Sequence, residues 1–224
     1  MLTKPLLNIL IWFYNVIPGQ DMGLAIIALT LLIRLILFPS FQKSLRSQRE
    51  LQKLQPKLNE IKEKYKNDKE TQTKATLEFY KENKVNPFSS CLPLLVQLPI
   101  LIALYRVFLT GLNGEVSNEL YAFVADPGAI NTSFLGLVEL GKSNIWFALA
   151  AGIFQFIQSK MIAPPKTGVP DKTASIMNAQ LTYFMPVVTV LISMRLPAGL
   201  ALYWAVTTLF AIGQQYYIMR TAKI

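Results

Sequence analysis

Residues 22–41 read MGLAIIALTLLIRLILFPSF, an apolar run whose one charge is Arg34. The run is long enough to cross, as a helix, a bilayer core about 30 Å thick, which takes roughly 20 residues. An ionised side chain at that depth costs from about 3 to over 10 kcal/mol, depending on the scale, unless a counter-charge or water receives it. The later apolar runs supply no counter-charge. After Glu139 the only acid is Asp171, in a connector rich in Pro and Lys, and Glu115, Glu119 and Asp126 share another polar segment. Water is the remaining partner, so we expect a wet cavity around Arg34. Snorkelling is the competing reading, because Arg34 is about 10 Å of helical rise from Phe41 and a long side chain recovers part of that distance. It does not explain why the charge is set so deep.

Working outward, 224 residues that are 52% hydrophobic read as an integral membrane protein. Four more candidate spans follow: Cys91 to Leu109, Ile145 to Ile162, Leu181 to Met194 and Leu200 to Tyr217. The last two are short and are separated only by Arg195, Leu196, Pro197, Ala198 and Gly199, a tight turn between helices. Short spans imply a thinned bilayer or a shallow bundle. Upstream, Leu6, Ile9, Leu10, Phe13 and Ile17 recur at helical spacing with Lys4, Asn8 and Asn15 elsewhere. This describes a helix lying in the membrane interface. A cleaved signal peptide is the alternative, but no small-residue cleavage pattern follows and Pro18-Gly19 reads as a turn.

The expected fold is therefore all-α and polytopic. We divide it into an interfacial helix (1–20), a first span (21–41), a cytoplasmic helical hairpin (42–86) and four further spans (87–224). With one cysteine, Cys91, and no histidine, the chain lacks the means for an intramolecular disulfide, a cysteine zinc cluster or the commonest general base. No metal site or cofactor is expected. Enzyme activity is the weakest reading, since no paired carboxylates fall within the bilayer and no phosphate-binding loop is present.

The net charge of +9 sets the orientation. More than half of the Lys and Arg residues lie between Lys43 and Lys84, and Lys166 and Lys172 follow the third span. The connector between spans two and three is instead acidic, with Glu115, Glu119, Asp126 and Glu139 against Lys142. By the positive-inside rule the first loop, the third connector and the Arg220/Lys223 tail are cytoplasmic and the N-terminus is outside. Only Arg195 disagrees. Within the basic loop, Leu51, Leu54, Leu58, Ile61 and Tyr65 form a coiled-coil stripe. Asn67-Asp68 reads as a turn, and a second helix runs through Ala75, Leu77, Phe79 and Tyr80 before Asn86-Pro87 stops it. A kink is expected at Pro56. The lysines are either a solvated surface or an electrostatic face for anionic lipid or ribosomal RNA.

Among uncharged polar residues at membrane depth, Gln97 is the most informative, set between Pro93 and Pro99 where carbonyls lose their partners. It either lines a cavity or joins helices, the latter contributing roughly 1 kcal/mol in membranes. Thr30 and Gln155 are further candidates for a polar groove, with Thr189 and Ser193 also inside spans. Gln158 and Lys160 mark the cytoplasmic end of span three. Tyr203 and Trp204, taken alone, read as interfacial belt residues.

Several of these stretches together are similar to one known group. Ile33-Arg34-Leu35-Ile36-Leu37-Phe38-Pro39 looks like an arginine-bearing first span. Leu54-Gln55-Pro56-Lys57 looks like its hairpin, and Val85-Asn86-Pro87 before Cys91-Leu92-Pro93-Leu94-Leu95-Val96-Gln97-Leu98-Pro99 looks like its second span. Leu196-Pro197-Ala198-Gly199-Leu200-Ala201-Leu202-Tyr203-Trp204 is similar to the start of its last. The chain thus resembles, over nearly its whole length, the YidC membrane insertase family, related to the mitochondrial Oxa and chloroplast Albino insertases. That resemblance implies five helices around a hydrophilic groove, open to cytoplasm and lipid and closed outside, in a bacterial cytoplasmic membrane. It places Arg34, Gln97 and Trp204 at the groove, with Tyr203 beside them. Against the long members, the sequence shows no large domain ahead of Met22 and no lipoprotein-type cysteine near Met1. It also shows no basic extension beyond Ile224 of the kind that helps some members hold ribosomes.

The resemblance implies an insertase and chaperone for nascent membrane proteins, working without nucleotide hydrolysis. Its partners would be clients and the lipid bilayer, a ribosome transiently and a Sec translocon, with no DNA. A small transporter or channel is the alternative, although coupling usually needs intramembrane acids or a repeat, and neither is visible. A scaffold whose hairpin docks partners is a third reading, and it leaves Gln97 unexplained.

Overall fold

The computed structural model describes residues 3–86, 92–112, 116–163, 176 and 178–221. Cys91, the Pro87 stop and the Lys166 to Lys172 connector lie outside the described residues. The chain is mostly helical, as an all-α membrane protein should be. α1 (Thr3–Val16) leads into α2 (Met22–Ile36), α3 (Phe38–Lys64), α4 (Lys69–Glu82) and α5 (Leu92–Leu112). A 3-10 turn (Val116–Glu119) and a two-stranded antiparallel hairpin, β1 (Ser133–Phe134) and β2 (Val138–Glu139), precede α6 (Ile145–Ile162). A π-turn (Gln180–Phe184) runs into α7 (Met185–Ser193), and α8 (Ala198–Thr221) closes the chain.

The first apolar run is not one helix. Pro39 stands at the start of α3, and its ring and missing N–H prevent the ladder from continuing through it, so the chain turns by 63° at Leu37. The basic segment therefore begins its own helix at Phe38, ahead of the expected Gln42. Pro56 lies inside α3, which continues past it to Lys64. The turn that follows is built by Asp68, whose carboxylate accepts from the N–H groups of Glu70 and Thr71 at 3.1 Å and caps α4. Gln72 Nε2 donates across the pair to the Lys62 carbonyl at 2.7 Å. Leu58 is the buried member of the α3 stripe, whereas Leu77 of α4 faces outward. α4 stops at Glu82, earlier than expected, where Lys84 takes a positive φ.

α8 is the central helix, packing most extensively on α6 and then on α2, while α7 packs on α6. Close approach of α6 and α7 is possible because residue 152 is Gly: a Cβ there would lie 2.3 Å from Val190 Cγ2. By length and composition, α6 alone among the described helices passes as a span, at about 27 Å for 18 residues. The bent α2–α3 pair passes when taken together, and two shorter apolar helices cover Gln97–Val107 and Gln180–Ser193. α8 is longer but carries Thr207, Thr208, Gln214 and Gln215, all buried.

α1 departs from the simple amphipathic picture. Its buried face is Leu7, Asn8, Leu10, Ile11 and Tyr14, and it packs on α2 and α5 within one apolar cluster. Asn8, read from sequence as a polar-side residue, is buried because its amide is fully used. It donates to the Lys4 carbonyl at 2.8 Å and the Glu119 carbonyl at 3.0 Å, and accepts from the Tyr121 N–H at 2.6 Å.

Candidate functional site

Three helices meet at Arg34. α2 carries it on the face that also holds Thr30, one turn earlier, and the bend at Leu37 brings Phe41 back over it. The guanidinium carbon lies 4.7 Å from the centre of the Phe41 ring, and Arg34 is only 8% exposed. A cation over an aromatic face gains about 0.5 to 2 kcal/mol, far below the cost of desolvating the charge. Among the described residues no carboxylate forms an ion pair with Arg34.

Opposite Arg34, α8 presents Tyr203, buried and within electrostatic reach of the guanidinium. Tyr203 in turn accepts a hydrogen bond from the half-buried Gln97 Nε2 of α5. Arg34, Tyr203 and Gln97 thus form a polar line from α2 through α8 to α5. Nothing within one segment of sequence could have paired Gln97 with Tyr203.

The other candidates are placed differently. Thr30 is buried beside Arg34, but its hydroxyl donates to the Ile26 carbonyl at 2.6 Å, which leaves it only acceptor capacity. Trp204 follows Tyr203 directly, points about 100° away around the helix and is half-buried. Gln155 accepts from the Thr189 hydroxyl at 2.6 Å and so joins α6 to α7. Its amide oxygen is engaged in that pairing.

A second polar junction was missed by sequence reasoning. Gln214 Nε2 donates to the Phe38 carbonyl at 3.1 Å, at the first residue of α3 just after the α2–α3 break. From α3, Arg49 donates to the Ile218 carbonyl at 3.4 Å and Gln52 to the Ile162 carbonyl. Both carbonyls lie in the last turns of α8 and α6, at the negative end of the helix dipole, and that of Ile162 ends its helix with no partner in it. The root of the α3–α4 pair is thereby clamped to two apolar helices. A shallow cleft with room for about one water lies at this junction between Gln48, Arg49, Gln52, Met161 and Gln215. The available signal was the pair of amides, Gln214 and Gln215, in the last half of a helix that reads from sequence as a span.

The opposite end is tied down by the polar connector. Asn15 donates to the Ala125 carbonyl at 2.7 Å, Tyr14 accepts from the Asn131 N–H at 2.8 Å, and Asp21 accepts from the Leu135 N–H. The N–H groups of Ala198 and Gly199 reach the Lys142 and Leu140 carbonyls at 2.8 and 3.1 Å. Glu139 in this connector is held below the usual carboxylate range, chiefly by the Thr132 hydroxyl and then by the Gly141 N–H.

Comparison with known proteins gives this architecture a family. A profile described as 60Kd inner membrane protein matches residues 12–224. The chain belongs to this family. Among its relatives, a membrane protein insertase YidC of Fusobacterium nucleatum is 40% identical over 203 residues, covering 89% of this chain and 87% of that protein. The proteins of the same name from Syntrophobacter fumaroxidans and Geobacter sulfurreducens are 37% and 34% identical, each over 99% of this chain. The chain spans only 38% of the length of each of those two longer relatives. The overall resemblance read from the sequence is therefore a family relationship, and the family is one of the bacterial inner membrane.

Proposed function

We propose that the chain is a membrane protein insertase and chaperone whose working surface is a groove around Arg34, open to the cytoplasm. The observation that carries this reading is the line of Arg34, Tyr203 and Gln97 at the meeting of three helices, its charge lacking an ion-pair partner among the described residues. The names of the relatives support it. In this arrangement α2, α5, α6, the π-turn with α7, and α8 are the five spans. Residues 42–86, with most of α3 and all of α4, are the cytoplasmic hairpin, α1 within 1–20 lies at the outer interface, and 87–224 completes the core. The N-terminus is outside and the C-terminus cytoplasmic. The connector bonded to α1 and to the α7–α8 turn closes the outer end.

A client's polar tail carries most of the barrier to crossing. Arg34 draws in an acidic or polar tail, water and Gln97 solvate it, and the apolar faces of α6 and α8 pass the emerging helix into lipid. Trp204, Thr30 and Gln155 are the outer members of the same surface. Partitioning of the apolar helix is favourable, and a potential negative inside drives each acidic charge outward by about 2.3 kcal/mol per 100 mV, so nucleotide hydrolysis has no part. The basic hairpin meets the ribosome transiently, a Sec translocon can cooperate, and neither DNA nor a catalysed reaction is involved.

The test is reconstitution of Arg34→Lys and Arg34→Gln with a client bearing an acidic tail. Insertion retained by Lys and lost by Gln supports attraction by positive charge. Normal insertion of every client by Arg34→Gln refutes it.

A further inference from the structure

The β1–β2 hairpin ends in Leu135-Gly136-Leu137, with Leu137 84% and Leu135 58% exposed. Turns in water favour Gly, Asn, Asp and Ser, and Leu135 additionally takes φ +52, a left-handed conformation that Gly or Asn adopts at less cost. Residues 133–138 carry no charge. Two large apolar side chains therefore occupy the place where an aqueous turn has least use for them.

The hairpin is also held firmly at one height. Asp21, at the start of α2, accepts from the Leu135 N–H, and the Phe134 ring lies 5.9 Å from that of Phe147 in the first turn of α6. Beside Phe147, Ile145 is 50% and Trp146 73% exposed. That apolar surface continues down α6 through Ile153, 56% exposed. Trp at the end of a span marks the boundary between headgroups and acyl chains. The tip is thus pinned next to the bilayer end of the one described helix that passes alone as a span.

We propose that Leu135 and Leu137 seat the hairpin tip in the lipid headgroup and acyl boundary of the leaflet opposite the α3–α4 pair. The occupant of this surface is the bilayer itself, because residues 133–138 are uncharged, the Asp21 carboxylate beside them is turned to the Leu135 N–H, and the tip adjoins the exposed apolar side of α6 through Phe134 and Phe147. The hairpin then fixes the height of the α2 and α6 N-terminal ends in that leaflet. This proposal rests on the spanning arrangement proposed above and not on insertase activity.

The test places a polarity-sensitive fluorophore on Leu137→Cys, with Cys91→Ser, in protein-free phosphatidylcholine and phosphatidylglycerol vesicles, beside the same label on Ile153→Cys. Seating predicts blue-shifted emission from Leu137→Cys, quenching by nitroxides attached near the lipid headgroup, and loss of quenching by iodide supplied to both sides. Aqueous emission with full iodide quenching at Leu137→Cys, while Ile153→Cys reports lipid, overturns the anchor and leaves the spanning arrangement standing. Aqueous behaviour at both positions overturns the spanning arrangement as well. A tip that is aqueous in these vesicles and shielded in native membranes overturns the proposal in favour of a protein partner. Because Leu137 is mostly exposed, the label displaces no packed core.

Discussion

Replacing Tyr203 with Phe removes one oxygen from a buried position and leaves Gln97 Nε2 without the acceptor it uses in the native protein. A buried donor left unpaired costs about 1–3 kcal/mol in soluble proteins. Within membranes such bonds average about 0.6 kcal/mol and reach about 1.7. Gln97 is only half-buried and can turn toward water, so the lower part of the range applies. We expect Tyr203→Phe to cost about 1 kcal/mol, Gln97→Leu a similar amount, and the double substitution clearly less than their sum. The assay is unfolding free energy by denaturing-detergent titration of the four proteins in a double-mutant cycle. For a chain of this size 1 kcal/mol corresponds to roughly 2–4 °C in melting temperature, which gives an independent check. If the two single effects add to the double within about 0.3 kcal/mol, the pair is not coupled and the line from Arg34 to Gln97 is broken at its middle.

Gly152→Ala places a methyl group 2.3 Å from Val190 Cγ2 and 3.2 Å from the Pro186 carbonyl, and should destabilise by about 1–3 kcal/mol; thermal unfolding should show most of the loss recovered on adding Val190→Ala. Asp68 is held below its ordinary value, first by the Thr71 hydroxyl and then by backbone N–H groups. A carboxylate lowered in the folded state stabilises above its unfolded pKa and loses that contribution as pH falls through the folded one. Amide exchange at Thr71 and Gln72, corrected for intrinsic rate, should therefore accelerate as pH falls below 3.8 and should lack this dependence in Asp68→Asn. Gln52→Leu with Arg49→Ala removes the bonds from these α3 side chains to the ends of α6 and α8; spin labels on α4 and α8 should report a broader distance distribution, and an unchanged one would show that these two bonds do not orient the α3–α4 pair.

Local chemistry was legible where it is self-contained. The bounds of α6 were readable from its largely apolar run, which turns polar at Gln158 and Lys160 near its end, and the structure adds the Asn144 side chain capping the N–H groups of Trp146 and Phe147 at its start. The turn between α7 and α8 and the turn at Asn67-Asp68 were readable for the same reason, whereas the capping role of Asp68 came from the structure. The break at Leu37 was hidden by composition, since hydrophobicity runs on to Phe41 and only Pro39 signals the bend. That bend also creates the Arg34–Phe41 contact, which a straight helix spreads over two turns. Asn8 was misread because helical periodicity separates polar from apolar faces and carries no information about a connector more than a hundred residues away that uses the amide. The pairing of Gln97 with Tyr203, and of Gln155 with Thr189, likewise depends on which helices become neighbours. Sequence named all four side chains and left their partners open.

The central claim is a groove at Arg34 that opens to one side only. Single cysteines flanking Arg34 and Gln97, in a Cys91→Ser background, should be treated with a membrane-impermeant thiol reagent from each side of the membrane. A groove of this kind gives labelling from the cytoplasmic side alone. Labelling from both sides would replace the groove with a pore or an alternating-access path, and no labelling from either side would contradict the account by showing that Arg34 is enclosed in protein.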